Sequence, residues 1–356
     1  MNFTLPETDL WEYLSRTEKT VVMYGMGNGA DKILAVCERR GIAVADFFAS
    51  DGFVRGHAFH GKTVLSYSAV KEKYRAENLI VLLSFASSRP EVLEQIRRVA
   101  GECELYAPDV PVCGEDLFDL PFALAHQKEL EAAEALLCDE ESRHIFRNTV
   151  LYKLTGRISY LFDAESDRDE VYRRLLRADR FEVVADIGAY NGDTIRELIP
   201  YAEHLRTVYA MEPDRHSYRK LTEYAESVHT PQIAAVRAAA WSHACTLSFS
   251  AEGNRNSGVH AGKKCEELPA LPPDSLFTSG LPDYIKYDVE GAEWEALTGT
   301  METIRKRHPA LLVSLYHRSE DLFSLPLRLA EAAPGYRFYL RRYPYIPAWD
   351  LNLICL

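Results

Sequence analysis

At 356 residues the chain exceeds what one hydrophobic core usually organises, so two domains are expected. With 47% hydrophobic and 26% charged residues it has the composition of a soluble globular protein. The formal net charge of −12 argues against nucleic acid or an anionic membrane surface as partner, since both repel an acidic protein.

The opening MNFTLPETDLWEYL lacks a basic stretch followed by an apolar one, so no signal peptide is expected. No apolar run reaches the roughly 18 residues of a membrane helix. Seven cysteines (Cys37, Cys103, Cys113, Cys138, Cys245, Cys265 and Cys355) are scattered without a C-x-x-C pair, which supports neither zinc nor a disulfide framework. A reducing cytoplasm is the expected compartment.

From Lys19 to Pro111 strands and helices alternate. TVVMYG, VADFFAS, ENLIVLLSF and CELYAP read as strands, ADKILAVCERRG and PEVLEQIRRVAG as helices, the latter with Pro90 at its start. This alternation predicts a parallel, doubly wound sheet in a domain of residues 1–114. Its first strand enters the turn of VVMYGMGNGADKI, with Gly25, Gly27 and Gly29 and no acid inside the loop, and Asp51 stands near the end of the next strand. The unit is similar to the Rossmann-like amino-terminal domains of sugar-modifying enzymes. Such a turn fits a dinucleotide or the nucleotide of an activated sugar. It fits as well a docking or homodimerisation module that keeps the fold without the ligand, and this is the preferred reading. A nicotinamide-dependent oxidoreductase would need catalytic groups nearby, and only Ser84 and Ser87 are at hand.

Residues 115–179 read as a helical connector. Leu130, Ala133 and Leu137 recur at helical spacing, Ile145, Phe146 and Val150 continue in a further segment, and DRDEVYRRLLRADRF is expected to be helical. From residue 180 to 356 the alternation returns, with strands FEVVADIG, TVYAME, IAAVRAAAW, DYIKYDV and ALLVSLYH. Leu297, Met301 and Ile304 stripe the helix expected after Glu293. The end, YRFYLRRYPYIPAWDLNLICL, reads as an antiparallel hairpin with a proline-containing turn. Arg305, Lys306 and Arg307 read as a solvated helix end.

The turn VVADIGAYNGDT differs from the first one in its acids. Gly188 ends a strand, Gly192 lets the backbone pass close to a ligand, and Asp193 and Thr194 open a helix. A pyrophosphate needs an electropositive cradle, and Asp186 and Asp193 would repel it. S-adenosylmethionine, with a sulfonium and an ammonium and no phosphate, reverses that argument. Glu212 in TVYAMEPD lies some two dozen residues beyond Gly188, where doubly wound folds bind ribose hydroxyls. Singly, Asp186 also reads as a satisfied buried acid, Asp193 as a helix cap and Glu212 as a surface acid; the ordered set favours the cofactor.

In YIKYDVEGAEWEAL, Asp288 falls at the carboxyl edge of the sheet, and Glu290 and Glu293 are expected in the first turn of the next helix. Methyl transfer to a hydroxyl requires in-line placement and removal of the acceptor proton. Asp288 is the first candidate base and His317, after the next strand in LLVSLYHRSEDLF, the second. Asp288 equally fits a group orienting the methionine amine, His317 a packing histidine, and Glu290 and Glu293 residues favoured by the helix dipole. Asp288, Glu290 and His317 also suit a divalent cation such as Mn or Mg, although their spacing is no recognised metal motif.

Taken in order, VVADIGAYNGDT, VYAMEPD, YIKYDVEGAEWEAL and LLVSLYHRSEDLF resemble the FkbM family of methyltransferases, from about Phe181 to Leu356. The resemblance implies the class I S-adenosylmethionine-dependent fold, an α/β domain with a seven-stranded sheet whose last strand is antiparallel. It implies O-methylation of a sugar, glycan or polyketide-type natural product. It places Asp186 and the turn Gly188, Ala189, Tyr190, Asn191, Gly192, Asp193 and Thr194 at the methionine part of the cofactor. Glu212 with Pro213 falls at the ribose, and Ala238 to Trp241, chiefly Ala240 and Trp241, at the adenine. Here the chain departs from the family: an Asn before that segment and an acid after it are replaced by RAAAWSHAC, and Trp241 is left to stack on the adenine. AEGNRNSGVH, from Ala251 to His260, reads as an acceptor-binding lid or a loose connection.

Overall fold

The structure, a computed structural model, describes residues 4–54, 56, 58–250 and 265–356. The segment read as a lid, 251–260, therefore lies outside the described residues.

The first part of the chain forms β1 (Thr20–Tyr24), β2 (Val44–Ala49), β3 (Ala58–Phe59), β4 (Lys62–Thr63), β5 (Leu65–Ser66), β6 (Leu79–Leu83) and β7 (Glu104–Tyr106). Five of these build a wholly parallel sheet in the order β5-β2-β1-β6-β7. β6, LIVLL, is buried at every position, as expected of a strand covered on both faces.

The second part of the chain forms β8 (Val183–Ile187), β9 (Thr207–Met211), β10 (Gln232–Val236), β11 (Ala239–Ala240), β12 (Cys245–Ser250), β13 (Cys265–Leu271), β14 (Tyr284–Tyr287), β15 (Ala310–Ser314), β16 (Phe338–Arg342) and β17 (Leu351–Cys355), and with them a second large sheet. Its seven strands run β10-β9-β8-β14-β15-β17-β16. Only β17 is reversed, lying antiparallel to both β15 and β16. The terminal hairpin expected from the sequence is these last two strands. IAAVRAAAW is not one strand: β10 stays in the large sheet, while β11 leaves it for a three-stranded sheet, β11-β13-β12. A run of alanines carries no turn signal, so sequence pattern could not find the break.

Residues alternate across the central strands. Ala185 and Ile187 face one apolar cluster with Ile285, Tyr287 and Val313, whereas Val184 and Tyr284 face another. The connector helices Gln127–Leu136 and Glu140–Thr155 place Leu130, Ala133, Ile145, Phe146 and Val150 in the first of these clusters. They share a core with the second sheet. DRDEVYRRLLRADRF is not one helix; it breaks into an α turn, a π-type turn and, beyond Arg177 at φ +54, a 3-10 turn.

The connector also covers the edge strand β16. Cys138 N donates to Phe338 O (2.9 Å), Leu340 N to Ser142 Oγ (2.8 Å), and Ser166 N to Arg342 O (2.8 Å). Edge groups that would otherwise template foreign strands are thereby paired. The connector is tied to the first domain by a buried ion pair, Lys153 Nζ to Asp109 Oδ2 at 2.8 Å. Asp109→Ala leaves that ammonium buried without its partner and is expected to cost about 3–5 kcal/mol, whereas Asp109→Leu with Lys153→Met costs far less. Denaturant unfolding of the two variants checks this; equal losses would mean the pair contributes packing and not charge compensation.

Candidate active site

At the carboxyl edge of the second sheet lies a cavity of about 360 Å³. The turn after β8 forms its floor. Gly188, at φ +90, admits no side chain, because a Cβ there would come within 1.9 Å of Asp288 O. Tyr190 is left-handed at φ +46, and its N–H donates to Glu212 Oε2, 2.7 Å away. Glu212 Oε1 accepts from Asp214 N at 2.8 Å. The carboxylate is thus pinned at the end of β9, and each oxygen keeps a further lone pair for a ligand. Burial pushes the Glu212 carboxyl up to about 8, against the pull of the Asp214 and Tyr190 N–H groups.

Behind this floor lies an ion pair that the sequence reading did not single out. Lys286 on β14 is in register with Asp186 on β8. Its Nζ lies 3.2 Å from Asp186 Oδ1, 3.2 Å from Gly188 O and 3.5 Å from Asp288 Oδ2. Burial opposes the lysine's charge, but Asp186, Asp288 and Asp193 outweigh it and hold the ammonium charged. Burial raises the Asp186 carboxyl to about 6, with Lys286 pulling it back. Asp186 does not line the cavity, and its Oδ2 has no hydrogen-bond partner. A signal existed: two acids at the carboxyl ends of neighbouring parallel strands need a cation, and Lys286 shares a strand face with Asp288.

Asp288 does face the cavity, its side chain 29% exposed. Burial would raise its carboxyl, yet Lys286, His317 and the Tyr316 and Ser314 hydroxyls hold it below the usual carboxylate range. Tyr316 OH donates to Asp288 Oδ1 at 2.7 Å. His317 is wholly buried behind it. Its Nε2 lies 3.5 Å from Asp288 Oδ1 and 3.6 Å from Glu290 Oε2, and its Nδ1 lies 2.9 Å from Glu293 Oε1. None of these contacts has the alignment of a hydrogen bond. Burial lowers the imidazole, but Glu293, Glu290 and Asp288 overcome it and raise it to about 10. Wholly buried and outside the cavity lining, His317 is in this structure a counter-charge to the acids around it and does not reach an acceptor as a second base. Glu290 is not in the helix, which begins at Glu293; it sits in the preceding turn at φ +54. Glu293 Oε1 accepts from Val289 N (2.9 Å) and so braces that turn.

Of the other residues expected at the site, Tyr190, Asp193, Thr194, Pro213 and Ala240 line the cavity, whereas Ala189, Asn191, Gly192 and Trp241 do not. Trp241 packs on the three-stranded sheet with Ala239, Leu268 and Ala270, so adenine stacking is not its place here. The sequence reading missed the opposite wall. Tyr343, Tyr345, Trp349 and Asp350 come from the β16–β17 turn, and Arg168 and Tyr172 from the connector. Arg168 pairs with Glu197 and, at 2.9 Å, with Asp350, and its guanidinium stacks 4.0 Å from the Tyr343 ring. Ser88 and Val112 of the first domain complete the lining, and Ser87 exchanges two backbone hydrogen bonds with Ile346 in the hairpin turn. Aromatic YPYIPAW was a visible signal; its distance from the glycine turn hid its relevance.

The first glycine turn has a different use. A Cβ on Gly29 would meet Ser84 O at 2.3 Å, and one on Gly25 would meet Phe85 and Ser84 Oγ at 2.7 Å. These glycines allow the turn to pack against the chain leaving β6. Ser84 Oγ donates to Tyr24 O, and Asp51 accepts from Ser68 N (3.0 Å) and Oγ (2.7 Å) at a helix start.

Residues 186–346 match the family model described as the methyltransferase FkbM domain. A crystal structure of methyltransferase FkbM from Methylobacillus flagellatus KT is similar over 99% of this chain and 94% of its own, at 21% identity and a TM-score of 0.72. A precorrin-6y C5,15-methyltransferase from Geobacter metallireducens GS-15 is similar over 54% of this chain and 91% of its own, at 14% identity and a TM-score of 0.34. No curated protein matches the chain. Among the described residues no helix is long and apolar enough to cross a membrane.

Lys286→Met removes the cation between two carboxylates and is expected to cost about 3–5 kcal/mol at pH 8. A carboxyl raised in the folded state above its ordinary 3.8 costs stability above that value, and the cost is relieved as pH falls through the raised one. The deficit should therefore shrink by pH 5.5 as Asp186 takes up a proton. Unfolding curves at both pH values test this, and a deficit independent of pH would remove Lys286 as the partner of Asp186.

Proposed function

We propose, starting from a chain whose residues 186–346 are an FkbM methyltransferase domain, that it transfers a methyl group from S-adenosylmethionine to a hydroxyl of a sugar, glycan precursor or natural product. One observation carries this reading: the glycine turn is set among acids, with Glu212, Asp193 and Asp288 all lining one cavity. Such a lining repels a phosphate and favours a sulfonium, an ammonium and a ribose diol.

Glu212, pinned by two backbone N–H groups, would accept from the ribose hydroxyls. Asp193 and Tyr190 flank the turn that would hold the methionine part, and Ala238 to Ala240 leave room for a flat base beside β9 and β10. Bound S-adenosylmethionine would supply an electrophilic methyl group on sulfur. Asp288, ionised through neutral pH, would take the proton of the acceptor hydroxyl as the carbon–oxygen bond forms. The acceptor would lie on the other side of β14, where Tyr316, Tyr345 and Trp349 line the cavity. Aromatic faces beside the polar group Arg168, Glu197 and Asp350 suit a polyhydroxylated ring.

Titration calorimetry with S-adenosylhomocysteine, NAD and UDP-sugars tests the cofactor. S-adenosylhomocysteine should bind at one site per chain, and Glu212→Gln should weaken it by about tenfold or more, because the amide puts a donor where the carboxyl oxygens accept from Tyr190 N, Asp214 N and the ribose. Asp288→Asn should keep that affinity and lower methyl transfer by about 10²–10⁴-fold. Heat from NAD or a UDP-sugar alone would sink the proposal.

A further inference from the structure

His317 poses a question that methyl transfer alone does not answer. It is wholly buried, neither ring nitrogen makes a hydrogen bond, and it does not line the cavity. Its edge bearing Nε2 is turned toward the two acids that do line the cavity, Asp288 Oδ1 at 3.5 Å and Glu290 Oε2 at 3.6 Å. Its other edge faces Glu293 Oε1 at 2.9 Å.

A buried polar group without aligned partners is costly, so such an arrangement needs a reason. Neighbouring ligand atoms around a small divalent cation stand about 3 Å apart, given bond lengths of about 2.0–2.2 Å. The two distances from Nε2 approach that spacing without reaching hydrogen-bond geometry. Asp288, Glu293 and His317 each offer a ligand atom within 4.8 Å of the others. Glu293 lies on the Nδ1 side, however, and its Oε1 already accepts from Val289 N. One imidazole gives a given cation one nitrogen, so the cation belongs on the Nε2 side and Glu293 behind the ring. That is the carboxylate–histidine–metal arrangement, in which the rear carboxylate sets the tautomer and the ring orientation. The left-handed residue Glu290, φ +54, followed by Gly291 at φ +91, carries the second acid around to this side.

We propose that Asp288, Glu290 and His317 form a binding site for one divalent cation of the magnesium or manganese class at the cavity wall, with Glu293 orienting the histidine. Two carboxylate oxygens and one imidazole suit that class, three protein ligands leave positions open toward the cavity, and the cation takes the place of the proton that the same acids otherwise hold on the ring. What the cation does rests on the methyltransferase reading: it would polarise the acceptor hydroxyl, so that the proton passes to Asp288 as the oxygen–methyl bond forms and the carbon–sulfur bond breaks. The binding itself does not depend on that reading.

The full chain, stripped with chelator, is titrated with Mn²⁺ and followed by electron paramagnetic resonance. One site per chain is expected, with nitrogen modulation of the bound-manganese spin echo from the imidazole. His317→Gln abolishes the modulation, and Glu290→Gln, at a part-exposed position, weakens binding by tenfold or more. Glu293→Gln weakens it by about 10–100-fold, as loss of an orienting carboxylate does. S-adenosylhomocysteine binding is measured on every variant. A chain that binds S-adenosylhomocysteine but no Mn²⁺, or binds Mn²⁺ without nitrogen modulation and undiminished by Glu290→Gln, overturns the cation site and leaves the methyltransferase standing. Mn²⁺ binding with no S-adenosylhomocysteine binding supports the site and removes the methyltransferase reading instead.

Discussion

The Lys286 ammonium holds the site together. It touches three oxygens that belong to different parts of the cavity floor: Asp186 inside β8, the carbonyl of Gly188 at the start of the turn, and Asp288 at the end of β14. Each of these strands carries an acid near its carboxyl end, and parallel strands bring those ends side by side. Without a cation between them, two carboxylates would face each other in a region of low dielectric. The lysine resolves this while fixing the direction of the Gly188 carbonyl, and hence the path of the turn. Gly188 admits no Cβ because Asp288 O is already there. The ion pair and the glycine are two sides of one close approach between β8 and β14.

From that floor the walls follow. β9 leads into Glu212, whose carboxyl is pinned by the same turn that Lys286 positions, so the ends of β8 and β9 meet at one cavity. The opposite wall comes from distant parts of the chain. Arg168 bridges Glu197, on the helix that follows the glycine turn, and Asp350, on the terminal hairpin, while Arg342, wholly buried, donates to Leu161 O and to Tyr345 O. Two arginines thus fasten the connector to the hairpin that carries Tyr343, Tyr345 and Trp349. The first domain reaches the same place through Ser87 and Ser88.

What was legible in the sequence divides along the same line. Features written in one stretch were readable: the strand-glycine-helix unit around Gly188, the acid at Glu212, the acid at Asp288 and the final hairpin all follow from local pattern. Features written in the register between stretches were not. Lys286 sits in a short apolar strand, YIKY, and only its pairing with Asp186 reveals its use. Trp241 looked like an adenine platform because it follows the alanines that line the cavity, but the chain turns outward at β11 and takes it along. His317 looked like a base because it follows a strand toward the right edge. Its surroundings of three acids, gathered from one turn and one helix, decide its charge.

The two glycine turns make the same point about chemistry. Both follow a first strand and precede a helix, and both contain glycines at left-handed positions. In both domains the missing side chains are required by protein: Ser84 and Phe85 occupy the space beside Gly25 and Gly29, Asp288 O that beside Gly188, and the Tyr224 ring that beside Gly192. The second turn also borders a cavity, which Asp193, Glu212 and Asp288 line. A glycine states only that something comes close. In both turns that something is the chain itself, and what differs is the strand next door, β6 in one domain and β14 in the other. In the second domain that neighbour brings Lys286, Asp288 and the turn leading to Glu290 and Glu293, so the groups that accompany the glycine, more than the glycine itself, make the site chemical.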